Sequence, residues 1–217
     1  MQKLFIIANW KANDLDALSW FQEVSTTKFP TQKEVIVCPP FTLLEKVSWL
    51  IGSKNLEIKA GSQDISKFDE GSFTGEVNGK MLKNTVDYVI IGHSERRDKF
   101  AETDEDVASK VLLAKKYDLT PIVCVQNEFI PIPEDVGIVA YEPVFAIGSG
   151  HPDTPQNADE VARKIKEKNT NIRDVLYGGS INPENVKSFT EKENISGVLV
   201  GSKSLDPVQF ARIITNA

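Results

Sequence analysis

Short apolar runs recur along the chain at residues 4–8, 35–38, 57–60, 88–92, 121–125, 137–141, 174–177 and 197–200. Most are rich in Val and Ile and are apolar at consecutive positions, which predicts strands buried on both faces in a parallel sheet. Between most of them the pattern changes to the helical period. Leu15, Leu18, Phe21 and Gln22 fit one helical face, and Leu43, Leu44, Val47, Leu50 and Ile51 fit a second. Val107, Val111, Leu112 and Lys115 mark a third. It opens after Thr103-Asp104-Glu105-Asp106, a capping threonine followed by acids that suit the positive end of a helix. Asn182-Pro183-Glu184 predicts another start, with proline in the first helical position.

Strands alternating with helices, with no linker and no shift of composition, predict one α/β domain over residues 1–217, a closed (β/α)8 barrel. Strand order cannot be read from one sequence, so a doubly wound open sheet is the alternative. One interval breaks the rhythm. Residues 126–136, between the fifth and sixth strands, contain Pro131 and Pro133, and an interior proline costs a helix about 3 kcal/mol. The fifth helix is therefore expected to be missing, and the short chain agrees with that loss. In its place we expect a non-helical strap over the outside of the barrel. Phe129 and at least one of Ile130 and Ile132 should pack into the gap between the helices that follow the fourth and sixth strands.

Composition removes several classes of function. The chain carries 25 Lys+Arg against 31 Asp+Glu, a net charge of -6, so nothing electrostatic favours nucleic acid or an anionic membrane. No apolar run approaches the roughly 18 residues needed to span a bilayer, and the first residues are too short an apolar run for a signal peptide. Cys38 and Cys124 each end an apolar run and read as buried thiols in a cytoplasmic protein. With only His93 and His151, no Cys/His grouping has metal-ligand spacing, so no metal is expected.

Chemistry is expected at the C-terminal ends of the strands, where barrels of this kind gather polar residues. Those ends give Asn9 and Lys11, then His93-Ser94-Glu95, Glu142, Gly178-Gly179-Ser180, and Gly201-Ser202. The stretch Tyr141-Glu142-Pro143-Val144-Phe145-Ala146-Ile147-Gly148-Ser149-Gly150 places a carboxylate at a strand end. A stiff proline follows it, then a glycine-rich tip able to turn N–H groups toward an anion. This suggests a catalytic base under a lid, the plain alternative being an ordinary surface loop with an exposed acid.

The set resembles the triosephosphate isomerase family. The pieces are Ala8-Asn9-Trp10-Lys11, Gly71-Ser72-Phe73-Thr74-Gly75-Glu76, Ile91-Gly92-His93-Ser94-Glu95-Arg96-Arg97, Tyr141 to Gly148, Tyr177-Gly178-Gly179-Ser180 and Leu199-Val200-Gly201. They stand in family order from end to end of the chain. The resemblance implies a TIM barrel that interconverts dihydroxyacetone phosphate and glyceraldehyde 3-phosphate without a cofactor. Glu142 matches the base and His93 the electrophile. A neutral imidazole is carried over from the family, and a helix opening at Ser94 is compatible with it. Lys11 matches the cation over the substrate, Asn9 its companion, and Glu95 a carboxylate near that lysine, with Ser94 beside it. Backbone at Gly148, Ser180, Gly201 and Ser202 matches a phosphate cup. The loop at residues 71–76 implies a homodimer in which Thr74 reaches a neighbour's site.

The chain also departs from the family. Phe145 stands where Trp is usual, and the far hinge of the lid is His151-Pro152-Asp153 in place of small residues. Ser202 replaces a glycine, and Gln126-Asn127 replace Gly-Glu after Cys124's strand. Two rivals remain at this level: another phosphate-binding barrel isomerase, and a barrel that has lost activity and serves as an interaction protein.

Overall fold

The eight apolar runs become parallel strands: β1 (Leu4–Asn9), β2 (Lys33–Cys38), β3 (Ile58–Ser62), β4 (Tyr88–Ile91), β5 (Thr120–Val125), β6 (Ile138–Tyr141), β7 (Asp174–Tyr177) and β8 (Gly197–Val200). The computed structural model describes residues 3–27, 30–146 and 151–217. Each strand pairs with the next in chain order and β8 closes on β1, so the sheet is a barrel and the open alternative fails.

Consecutive apolar residues have two destinations. Phe5, Ile7, Ile36, Cys38, Ile90, Ile122, Cys124, Ile138, Ala140, Leu176 and Leu199 form one buried cluster, the barrel interior. Their strand neighbours Ile6, Ala8, Val35, Val37, Val89, Ile91, Val123, Val139, Val175 and Val198 join a second cluster under the helices. Alternate side chains of a strand point to opposite faces, so a two-sided core requires an unbroken apolar run.

The helices are α1 (Ala17–Val24), α2 (Phe41–Ser53), α3 (Gly79–Leu82), α4 (Ser94–Phe100), α5 (Asp104–Lys116), α6 (Pro155–Lys168), α7 (Val186–Thr190) and α8 (Pro207–Asn216). Thr103 caps α5 in a reciprocal box with Asp106, as its sequence predicts. Two apolar residues of the expected faces point out instead, as do their polar members Gln22 and Lys115. Leu18 and Leu112 are exposed, while Ala17, Trp20, Phe21 and Val24 bury α1 and Val107, Lys110, Val111 and Ala114 bury α5. The start predicted at Pro183 also shifts. Residues 183–185 form a turn whose Glu184 and Asn185 N–H groups donate to Asn182 Oδ1, and regular helix begins at Val186.

Residues 126–136 contain no helix and cross the wall as a strap. An ion pair of Lys115 with Asp135 ties the strap to α5. On the other side Lys168 donates to the Glu128 carbonyl (2.6 Å) and Lys164 pairs with the Glu128 carboxylate, tying it to α6. Val136 is fully buried, and Ile130 and Ile132 pack against the outer core. Phe129 corrects the expectation, being 77 % exposed. Its N–H is drawn to Asn127 Oδ1 (2.8 Å) in a tight turn, and its ring lies under the Lys168 ammonium at 4.6 Å from the centroid.

Candidate active site

At the C-terminal ends of the strands lies a cavity of about 400 Å³. Its lining includes Asn9, Lys11, His93, Glu142, Ser180, Gly201 and Ser202, so seven of the sequence-predicted residues meet in one place. Gly148, the fourth cup residue named from sequence, lies outside the described residues. Thr74 is exposed and does not line this cavity in its own chain. A second cavity of about 430 Å³ sits at the opposite barrel end, lined by Lys33, Glu34, Lys59 and Asp87 among others. It has no convergent acid–base set.

Glu142 follows β6 directly, its N–H donating to the Val125 carbonyl at 2.8 Å, so the carboxylate sits at the strand exit. It is 1 % exposed. A buried carboxylate needs compensating donors. The Ser94 N–H donates to its Oε2 at 2.9 Å, and His93 Nε2 stands 3.2 Å from its Oε1. Below it Cys124 is buried, and burial first, then the Glu142 charge, pushes the thiol well above its ordinary range. Gly178 closes the other side, since a Cβ there would come within 2.8 Å of Glu142 Cγ.

His93 is placed by a backbone bend. Gly92, at φ 73°, takes a left-handed conformation that turns the chain from β4 into α4, with His93 as N-cap. The imidazole Nδ1 accepts from the Glu95 N–H at 3.1 Å. A ring nitrogen that accepts from a backbone N–H carries no proton, so the ring proton sits on Nε2, facing Glu142 and the cavity. This is the geometry a neutral hydrogen-bond donor requires.

Lys11 also occupies a left-handed conformation, at φ 53°, which a lysine adopts only when its surroundings hold it. Asn9 Oδ1 accepts from the Lys11 N–H (3.0 Å), and Gln63 Nε2 donates to the Lys11 carbonyl (2.9 Å) and the Cys38 carbonyl (2.8 Å). The ammonium pairs with Glu95 at 2.5 Å. Burial works against the Glu95 charge, but the hydrogen bond and charge of Lys11 outweigh it and hold that carboxyl below its usual range. Ser180 ties the third side, its hydroxyl donating to the Ala146 carbonyl at 2.6 Å, in the short 3-10 turn that follows Glu142.

Three residues escaped the sequence reading. Gln63 stands one position past β3, whose end was placed too early. Asn13 and Lys203 line the cavity from the loops after β1 and β8. Lys203 adjoins Gly201-Ser202, and that adjacency was the available signal. Among the described residues no group of three or more His, Cys, Asp and Glu could hold a metal ion. No helix among them is long and apolar enough to cross a membrane.

A buried carboxylate, a Nε2–H imidazole and a lysine at one barrel mouth define a (β/α)8 barrel with an acid–base site. Comparison with known proteins narrows this class. The family model described as Triosephosphate isomerase matches residues 4–130 and 133–217. The chain is 37 % identical over 241 residues to the triosephosphate isomerase of Trichodesmium erythraeum, covering 99 % of each chain. It is 36 % identical over 244 residues to that of Mesomycoplasma hyopneumoniae strain 7448, covering 99 % of this chain and 100 % of the relative. The Aquifex aeolicus protein of the same name is 36 % identical, with 96 % and 97 % covered. This chain belongs to the triosephosphate isomerase family. Aligned stretches of 241 and 244 positions exceed its own 217 residues, so it is a shortened member.

Proposed function

We propose that this chain interconverts dihydroxyacetone phosphate and D-glyceraldehyde 3-phosphate by proton transfer through an enediolate, with no cofactor. Glu142 takes a proton from the carbon next to the carbonyl and returns it to the neighbouring carbon. As that proton leaves, negative charge grows on the carbonyl oxygen. His93 donates its Nε2–H there, and the Lys11 ammonium and Asn9 amide add to the stabilisation. Backbone at Gly148, Ser180, Gly201 and Ser202 holds the phosphate, and Glu95 and Ser94 position Lys11 and Glu142. The observation that carries the reading is the 3.2 Å approach of Glu142 Oε1 to His93 Nε2 in a cavity shared with Lys11. A base and an electrophile this close can act on adjacent atoms of one small substrate. Another phosphate-binding isomerase would need the glycine loops but not this trio. We place the enzyme in the cytoplasm as a homodimer, without nucleic-acid or membrane partners.

The test is isomerisation by the purified chain in D2O, followed by proton NMR, where enediolate chemistry puts deuterium on the carbon that receives the proton. Glu142→Asp should bind substrate nearly as well but turn over about a hundredfold more slowly, since withdrawing the carboxylate by a methylene misplaces it by about 1 Å. No isomerisation by the parent, or turnover of the variant within threefold of it, would defeat the reading.

A further inference from the structure

The charges lining the cavity do not balance in the way the proposed substrate requires. Lys11 is paired with Glu95 at 2.5 Å, and Glu142 adds a negative charge on the same wall. The chain as a whole carries a net charge of -6, which repels a phosphate dianion. Among the described residues Lys203 is the remaining cation of the lining, and none of their carboxylates lies within ion-pair distance of it. It sits in a short 3-10 turn, residues 202–204, directly after the predicted phosphate residues Gly201 and Ser202. That turn is firmly held. The Ser204 N–H and hydroxyl both donate to the Gly201 carbonyl, at 2.8 and 2.7 Å, and the Ser204 carbonyl accepts from Trp20 Nε1 at 3.0 Å. The same end of the cavity contains Lys11, since a Cβ on Gly201 would lie 3.9 Å from Lys11 Nζ.

We propose that Lys203 is a specificity-determining residue of this enzyme, an unpaired cation that selects substrates ending in a phosphate dianion. The idea takes its substrate from the isomerase reading above, but its probe does not depend on catalysis. An exposed ammonium beside a dianion contributes by a Coulomb attraction weakened by water and salt, enough for roughly a three- to tenfold effect on affinity at low ionic strength. The attraction acts on the bound ground state and the transition state alike, so its loss should appear in KM.

The experiment compares the parent with Lys203→Gln and Lys203→Arg by calorimetric titration with inorganic phosphate at two ionic strengths, alongside steady-state kinetics. Lys203→Gln should weaken phosphate binding and raise KM about three- to tenfold at low salt, and should flatten the salt dependence of both. Lys203→Arg should restore both. Equal phosphate affinity and equal salt dependence in the parent and Lys203→Gln overturn the proposal. So does a loss that falls on kcat alone, which would mark a structural disturbance. A parent that binds phosphate through Lys203 but does not isomerise triose phosphates supports this inference while refuting the function proposed above.

Discussion

Glu142 is held from four sides: the Ser94 N–H above, His93 Nε2 beside it, the Cys124 thiol beneath and Gly178 across from it. These neighbours come from three strands, His93 and Ser94 after β4, Cys124 on β5 and Gly178 after β7, so the position of the carboxylate reports on much of the barrel mouth. Gly178 matters here for its missing side chain. In Gly178→Ala the added methyl would lie 2.8 Å from Glu142 Cγ and 3.3 Å from the Tyr141 carbonyl, closer than packed carbon atoms allow. The Glu142 side chain must then shift by several tenths of an ångström or more. We expect kcat to fall about ten- to a hundredfold with KM changed much less, because the base and not the phosphate site is displaced. An unchanged kcat would show that the carboxylate tolerates displacement, contrary to the role assigned to it.

At the scale of elements, the strap over 126–136 shows what a barrel needs from a missing helix. The wall must be kept dry, and Val136, Ile130 and Ile132 do this without helical hydrogen bonds. Burying an aliphatic side chain of this size is worth about 1.5–3 kcal/mol, so these residues matter against a typical margin of about 5–15 kcal/mol. The exposed ion pairs to α5 and α6 add little by comparison. Val136→Ala should therefore lower the unfolding free energy by about 2 kcal/mol. Phe129→Ala, although it removes the larger side chain, should cost less than about 1 kcal/mol, because its ring is mostly wet. Urea denaturation of both variants gives the order directly. A larger loss for Phe129→Ala would mean that the ring is covered in solution, for instance by a second chain.

At the scale of the whole molecule, the 66–77 loop has a shape that its own barrel does not explain. Phe73 stacks flat on Phe68, at 4.2 Å between centroids and 5° between planes, and both rings remain 40 % exposed. A preformed aromatic pair on an exposed loop favours burial against a partner, and specific interfaces bury about 1,200–2,000 Å² in total. Sedimentation at micromolar concentration should give a dimer, and Phe73→Asp should shift it toward monomer with loss of activity. A fully active monomer would remove the dimer from the reading.

Much of this molecule could be read from the order of its residues. The strands were legible because a two-sided core forces consecutive apolar residues, a local pattern that no other arrangement of the chain produces so regularly. Asn9, Lys11, His93 and Glu142 were legible because each follows such a run, and barrel closure carries every strand end to one mouth. The strap was legible as non-helical because Pro131 and Pro133 act on their own backbone. What the sequence left undecided depended on partners distant along the chain. Leu112 points outward because α5 turns Lys110 inward to meet Asp64 and Glu102. Two helical positions apart means about 200° of rotation, so burying one exposes the other. The phase of α1 was likewise set by contact of Trp20 and Phe21 with Trp10. Gln63 and Lys203 took on meaning only when the barrel closed, one bracing the strained backbone of Lys11 and the other supplying charge to the cavity. Propensity and hydrophobic period are properties of neighbours in the chain and were decided locally. Helix phase, the partner of a buried charge and the balance of charge in a cavity are sums over residues that only folding brings together.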